Sequence, residues 1–194
     1  PVTNILTRLL RLSQLTGGFL GDDAGNAPQR ISTAKQAALE DIVEDMLQEG
    51  KKLVIMARFI PEIKAICSLL EKKEIQYSLI MGGVKDRDVQ VSAFQTDPQV
   101  QVFVGQIATA GLGVPLTAAS TMVFYSLDYS MSNFEQAKAR IHRVGQKENC
   151  TYIYLTAQGT VDVRVIRALR DKADLARMLV DDYRNGFNPF SSGR

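Results

Sequence analysis

In the segment QAKARIHRVGQK, residues 136–147, two arginines and a glutamine recur at spacings that a helix would turn to one side. If that helix runs to His142, then Gln136, Arg140 and Arg143 lie four and three residues apart and project together from one face. An apolar core has no use for such a face. Paired guanidiniums suit phosphate, because each planar fork engages two oxygens at once and never loses its charge. A solvated basic helix is the ordinary alternative, and residue types alone leave the two readings roughly even.

The chemistry that is missing narrows the field. A P-loop needs GxxxxGK followed by Ser or Thr, but the one Gly-Lys pair, Gly50-Lys51, has Asp45 and Lys52 at the flanking positions. Gly111-Leu112-Gly113 follows a strand signal, yet Leu116 takes the third position of a dinucleotide fingerprint. With one His, and no Ser or Cys suitably placed beside it, no nucleophile and base can be named. Cys67, Cys150 and His142 are too few and too scattered for a zinc site made by this chain alone, so no metal ligand is assigned. By itself the chain reads as catalytically incomplete.

The elements that must position these residues are legible in the hydrophobic pattern. Short apolar runs at 53–57, 77–81, 100–104, 121–125 and 151–155 read as buried strands. Helical stripes separate them. One carries Leu39, Ile42, Val43, Met46 and Leu47 after a cap at Ser32 or Thr33 and stops at Gly50. The next opens at Pro61 with Ile63, Ile66, Leu69 and Leu70, and a polar one is anchored by Val89, Ala93 and Phe94. Ser132 and Glu135 form a capping-box pair for the arginine helix, and a last helix is expected from 161 to 179. Strand and helix alternating at this spacing predict an α/β fold with a mostly parallel sheet covered on both faces. The division expected is an N-terminal helix and linker over 1–30, a folded lobe over 31–183 and a tail over 184–194.

With 23 Lys plus Arg against 21 Asp plus Glu, the formal charge is only +2, so any nucleic-acid contact must be local. No apolar run reaches the roughly 18 to 20 residues of a membrane helix and no signal peptide is visible, so no membrane is expected among the partners. Two free thiols point to a reducing, intracellular compartment, which is cytoplasmic for a bacterial or phage source and nuclear for a eukaryotic one. The chain begins at Pro1 without an initiator Met, which fits a piece of something longer.

QAKARIHRVGQ resembles the sixth helicase motif of the Swi/Snf-type, superfamily-two DNA-translocating ATPases: Gln-Ala, two variable residues, Arg, a small residue, His-Arg, an aliphatic and Gly-Gln. TAGLGVPLTAASTMVFYSLDYS resembles their fifth motif and the strand and acidic turn behind it. LVIMARF resembles the fourth, and IMGGVKDRDVQVSAFQTD the segment after it. RLLRLSQLTGGFL is similar to the helix and loop that precede this lobe. The resemblance runs in order through nearly the whole chain and implies the second RecA-like lobe, a three-layer sandwich, of a two-lobed motor whose P-loop belongs to the first lobe. It implies ATP and Mg bound mainly by that first lobe, with double-stranded DNA as the other partner. It also implies catalytic arginine fingers at Arg143 and Arg140, with Gln136 orienting them and Gly111 and Gly113 near the nucleotide. DNA-phosphate contacts are expected from Thr109, Gly82, Gly83, Lys85 and Arg58. Ala110, Pro115 and Tyr129 depart from the usual Gly, Asn and Trp, whereas Gln146 favours the DNA-translocase branch over RNA helicases of the DEAD-box kind. Two other readings stay open: a doubly wound small-molecule-binding domain, and a non-enzymatic DNA-binding scaffold.

Overall fold

Five parallel strands make the central sheet of the computed structural model, which describes residues 10–20, 28–127 and 129–171. In chain order the elements begin with helix α1 (10–16 among the described residues) and a small antiparallel pair, β1 (Phe19–Leu20) and β2 (Gln29–Arg30). They continue with α2 (Ala34–Gln48), β3 (Lys52–Ala57), α3 (Ile60–Lys72), β4 (Tyr77–Ile80) and α4 (Arg87–Thr96). Then come β5 (Val102–Gln106), a 3-10 helix (Ile107–Leu112), β6 (Ala119–Phe124), α5 (Met131–Lys138), β7 (Thr151–Tyr154) and α6 (Val161–Arg170). The strand order is β4-β5-β3-β6-β7, with every neighbour parallel.

Period-two alternation sorts the sheet into two cores. Leu53, Ile55, Val102, Val104 and Val123 face Leu39, Val43, Ile63, Ile66 and Leu70 of α2 and α3. Their chain neighbours Val54, Met56, Phe103, Met122 and Phe124 face Phe94, Phe134, Ala137 and Val165 of α4, α5 and α6. Helices on both faces follow from chain direction: β3 steps past β5 to β4, and the later crossovers step back, so a right-handed connection must change sides. The expected α/β, RecA-like three-layer sandwich is what the chain forms.

Two local expectations are corrected. β5 begins at Val102 rather than at 100, because the Val100 amide closes a turn on the Asp97 carbonyl (3.2 Å). The arginine helix is shorter than expected and capped elsewhere. Ser130 is its N-cap, accepting from the Asn133 amide (3.2 Å), while the Ser132 hydroxyl accepts from Gln136 Nε2 instead. The helix ends at Lys138, with Ala139 as its cap. The expected last helix is seen over Val161–Arg170, and the rest of its range, like the 184–194 tail, lies outside the described residues.

Candidate functional site

Because α5 stops at Lys138, Arg140 and Arg143 stand in the turn that follows it rather than on the helix that carries Gln136. Gln136 spends its amide on Ser132 of its own helix (3.0 Å). The arginine turn instead meets the segment after the 3-10 helix. The Leu116 amide donates to the Arg140 carbonyl (2.9 Å), and Ile141 is fully buried beneath the turn. Gly113 adopts φ 73, a left-handed conformation that costs a residue with a Cβ about 1 kcal/mol or more. This exposes its carbonyl, which accepts from Arg143 Nη1 (3.0 Å), and a Cβ on Gly113 would touch Arg140 Nη1. Gly111 lies inside the 3-10 helix.

The two guanidiniums differ in setting. Arg140 is only 7% exposed, and its Nε is buried without a hydrogen-bond partner, whereas Arg143 is exposed. Burial first, and the neighbouring Arg143 charge second, pull the Arg140 pKa below its ordinary value. Among the described residues no carboxylate forms an ion pair with either. Two like charges held together, one with an unspent donor, are a chemistry that suits an anion. His142 is exposed, and its backbone amide donates to the Lys138 carbonyl.

The residues expected to face DNA follow the carboxyl ends of three adjacent strands. Arg58 follows β3, Gly82, Gly83 and Lys85 follow β4, and Thr109 follows β5. One side chain that residue types did not single out ties this rim together. Gln106, the last residue of β5, accepts from the Gly82 amide through Oε1 (3.0 Å), while its carbonyl accepts from the Thr109 hydroxyl (2.7 Å). The Gly82 amide is therefore already engaged, and Gly83 and Lys85 are exposed. Arg58 is half-buried. Its guanidinium lies 4.5 Å from the Tyr129 ring centroid and 5.1 Å from that of Phe59, with Nη1 buried and unpartnered. Of the residues singled out from sequence, Arg140, Arg143 and Gly113 thus meet at one turn, while Gln136 bonds within its own helix.

Residues 34–145 match the helicase conserved C-terminal domain. The chain belongs to that family. This helicase C-terminal lobe is 31% identical over 152 residues to the chromatin-remodeling ATPase INO80 of Mycosarcoma maydis, covering 77% of the chain and 8% of the relative. Against the Mus musculus INO80 the figures are 28% over 150 residues, 76% and 10%. The chain therefore spans a tenth or less of these curated relatives. Among solved structures, the C-terminal part of the Fun30 ATPase domain superposes with a TM-score of 0.66 at 17% identity, covering 78% of this chain and 54% of that one. The Sulfolobus solfataricus SWI2/SNF2 ATPase C-terminal domain does so at 0.65 and 23%, covering 88% and 70%. These matches bear out the RecA-like fold and the Swi/Snf-type resemblance. Among the described residues no helix is long and apolar enough to cross a membrane.

Proposed function

We propose that this lobe is the C-terminal half of an ATP-driven translocase on double-stranded DNA, with Arg143 and Arg140 serving the terminal phosphate of ATP bound mainly by a first RecA-like lobe. The observation that carries the reading is the guanidinium pair at Gly113, with the Arg140 Nε unspent and no ion-pairing carboxylate among the described residues. The donors gathered here are cations, so they fit the phosphate end of the nucleotide rather than its magnesium, and the metal is assigned to the partner lobe. ATP supplies the phosphoryl group whose transfer releases the free energy.

This chain's part is electrostatic. Arg143 rests on a neutral carbonyl, which an anionic phosphate oxygen outcompetes as an acceptor, and Arg140 is held in place before any ligand arrives. The rim of Arg58, Gly83, Lys85 and Thr109, with Gly82 and Gln106 shaping it, is assigned to DNA phosphates. Such contacts position without reading sequence. The relatives named as chromatin-remodeling ATPases support the motor assignment.

The test is Arg143→Lys in the intact two-lobed protein. Lysine keeps the charge and loses the planar fork, and arginine fingers are worth about 10³ to 10⁵ in rate. Turnover is expected to fall by orders of magnitude while ATP and duplex affinities stay within a few-fold. Turnover within a few-fold of the parent would remove Arg143 from the role. A small-molecule-binding domain or a non-enzymatic scaffold predicts no turnover to lose in either protein.

A further inference from the structure

Gln146 closes the segment that carries both arginines, and its side chain engages five backbone groups. Nε2 donates to the Ala119 carbonyl at the start of β6 (2.8 Å), to the Ile141 carbonyl beside Arg140 (3.1 Å) and, more distantly, to the Thr117 carbonyl (3.4 Å). Oε1 accepts from the amides of Lys147 (2.9 Å) and Glu148 (3.0 Å). Its own amide donates to the Arg143 carbonyl (3.0 Å), so residues 143–146 form a tight turn. One side chain thus binds core-anchored Ile141, two residues before Arg143, the start of β6 and the chain after the turn.

The chemistry admits no substitute at this reach. Carbonyls cluster at the nitrogen and amides at the oxygen, which fixes the orientation of the amide group. A carboxylate would meet those carbonyls with no donor. A guanidinium would have nothing to accept the Lys147 and Glu148 amides. Arg143 is exposed, and its position rests on this turn and on the Gly113 carbonyl.

We propose that Gln146 is a positioning residue: its amide clamps the 141–148 turn to β6 and so aims the Arg143 guanidinium at the site over Gly113. The inference rests on the nucleotide role assigned to Arg143 above. Misplacing a catalytic group by about 1 Å costs on the order of 10²-fold in rate without a matching loss of ground-state binding. Gln146→Met keeps the volume and loses every polar contact, and Gln146→Glu keeps only the acceptor.

In the intact two-lobed protein both variants are expected to lower kcat by about 10- to 100-fold, with the KM for ATP and the duplex affinity within about three-fold and melting near the parent's. Melting alone would not separate aiming from general support, so the deciding measurement is a cycle with Arg143→Lys, read in single turnover with enzyme in excess. If Gln146 acts through Arg143, adding Gln146→Met to Arg143→Lys lowers the residual rate by no more than about three-fold. An unchanged kcat in the single variants, a loss that multiplies fully in the double variant, or variants that fail to fold would each overturn the positioning role. An Arg143→Lys protein that turns over normally would instead show that the nucleotide role itself is misassigned, whatever Gln146 does.

Discussion

Arg140 is a buried cation set beside a second cation, with a donor that nothing satisfies, and a folded lobe gains no stability from that arrangement. A buried charge without a carboxylate partner destabilises, so a residue of this kind persists at a cost that a function must explain. Arg140→Met should therefore raise the unfolding free energy of the isolated chain by about 1 kcal/mol or more, since it fills the same space without a charge to desolvate. The same change in the intact protein should depress ATP turnover severely. Denaturant unfolding and steady-state hydrolysis measure the two effects, and a destabilised variant would mean that Arg140 has a structural partner. The arginine types and their nearness in sequence were legible from the outset. Their unequal burial was not, because it follows from where α5 ends, and the helical spacing of Gln136, Arg140 and Arg143 continues past that end.

At the level of elements, the strands were legible because each is a short, mostly apolar run between helical stripes, and such runs suit a sheet buried on both faces. Helix ends were less so: the capping box expected at Ser132 yields to Ser130, two residues earlier, whose hydroxyl caps by the same chemistry. Least legible was the docking of α1, which depends on polar side chains far apart in sequence. Ser13 hydrogen-bonds Tyr129, the Thr16 hydroxyl donates to Asp162 (2.8 Å), and Gly17 lies so close to Glu62 that any side chain there would collide with the carboxyl. Glu62 is almost wholly buried. It faces Ser126, the Phe59 amide, Lys35, Asp162 and Tyr125, and Lys35 is already paired with Asp162 (2.6 Å). Burial, only partly offset by Ser126, Phe59 and Lys35, pushes its pKa from 4.5 to about 7. The folded state then binds this proton more tightly than the unfolded chain does. The stability Glu62 contributes is complete below pH 4.5 and drains away as pH rises to about 7. Glu62→Gln should accordingly match the parent near pH 5 and exceed it at pH 8, by up to about 3 kcal/mol. Urea titrations at the two pH values check this, and a variant equally destabilised at both would show that the carboxylate is needed ionised.

For the molecule as a whole, the proposed function makes the arginine turn and the strand-end rim each half of something. Under that proposal the arginine turn offers charge to a nucleotide, while the sequence holds no P-loop to cradle its phosphates, since Gly50-Lys51 closes α2 instead of opening a helix. The rim at the ends of β3, β4 and β5 gathers Arg58 and Lys85 with backbone turns, a small cationic footprint on a chain of net charge +2. Two consequences can be measured on the 194-residue chain alone. Purified with ATP, magnesium and duplex DNA, it should release phosphate at the background rate, because transition-state charge stabilisation has nothing to act on without a bound phosphoryl donor. It should also bind unrelated duplexes equally and weakly. With about two to four phosphates neutralised, the logarithm of affinity should fall against the logarithm of salt with a slope of about −2 to −4. A strong preference for one sequence would mean that base edges are being read, which neither cluster is built to do, and would favour the scaffold reading. A slope near zero would remove the rim from the DNA path, because ion release accompanies any contact made through Lys and Arg. DNA-stimulated hydrolysis by the isolated chain would overturn the division of labour between lobes, since it would require a phosphate cradle within these residues.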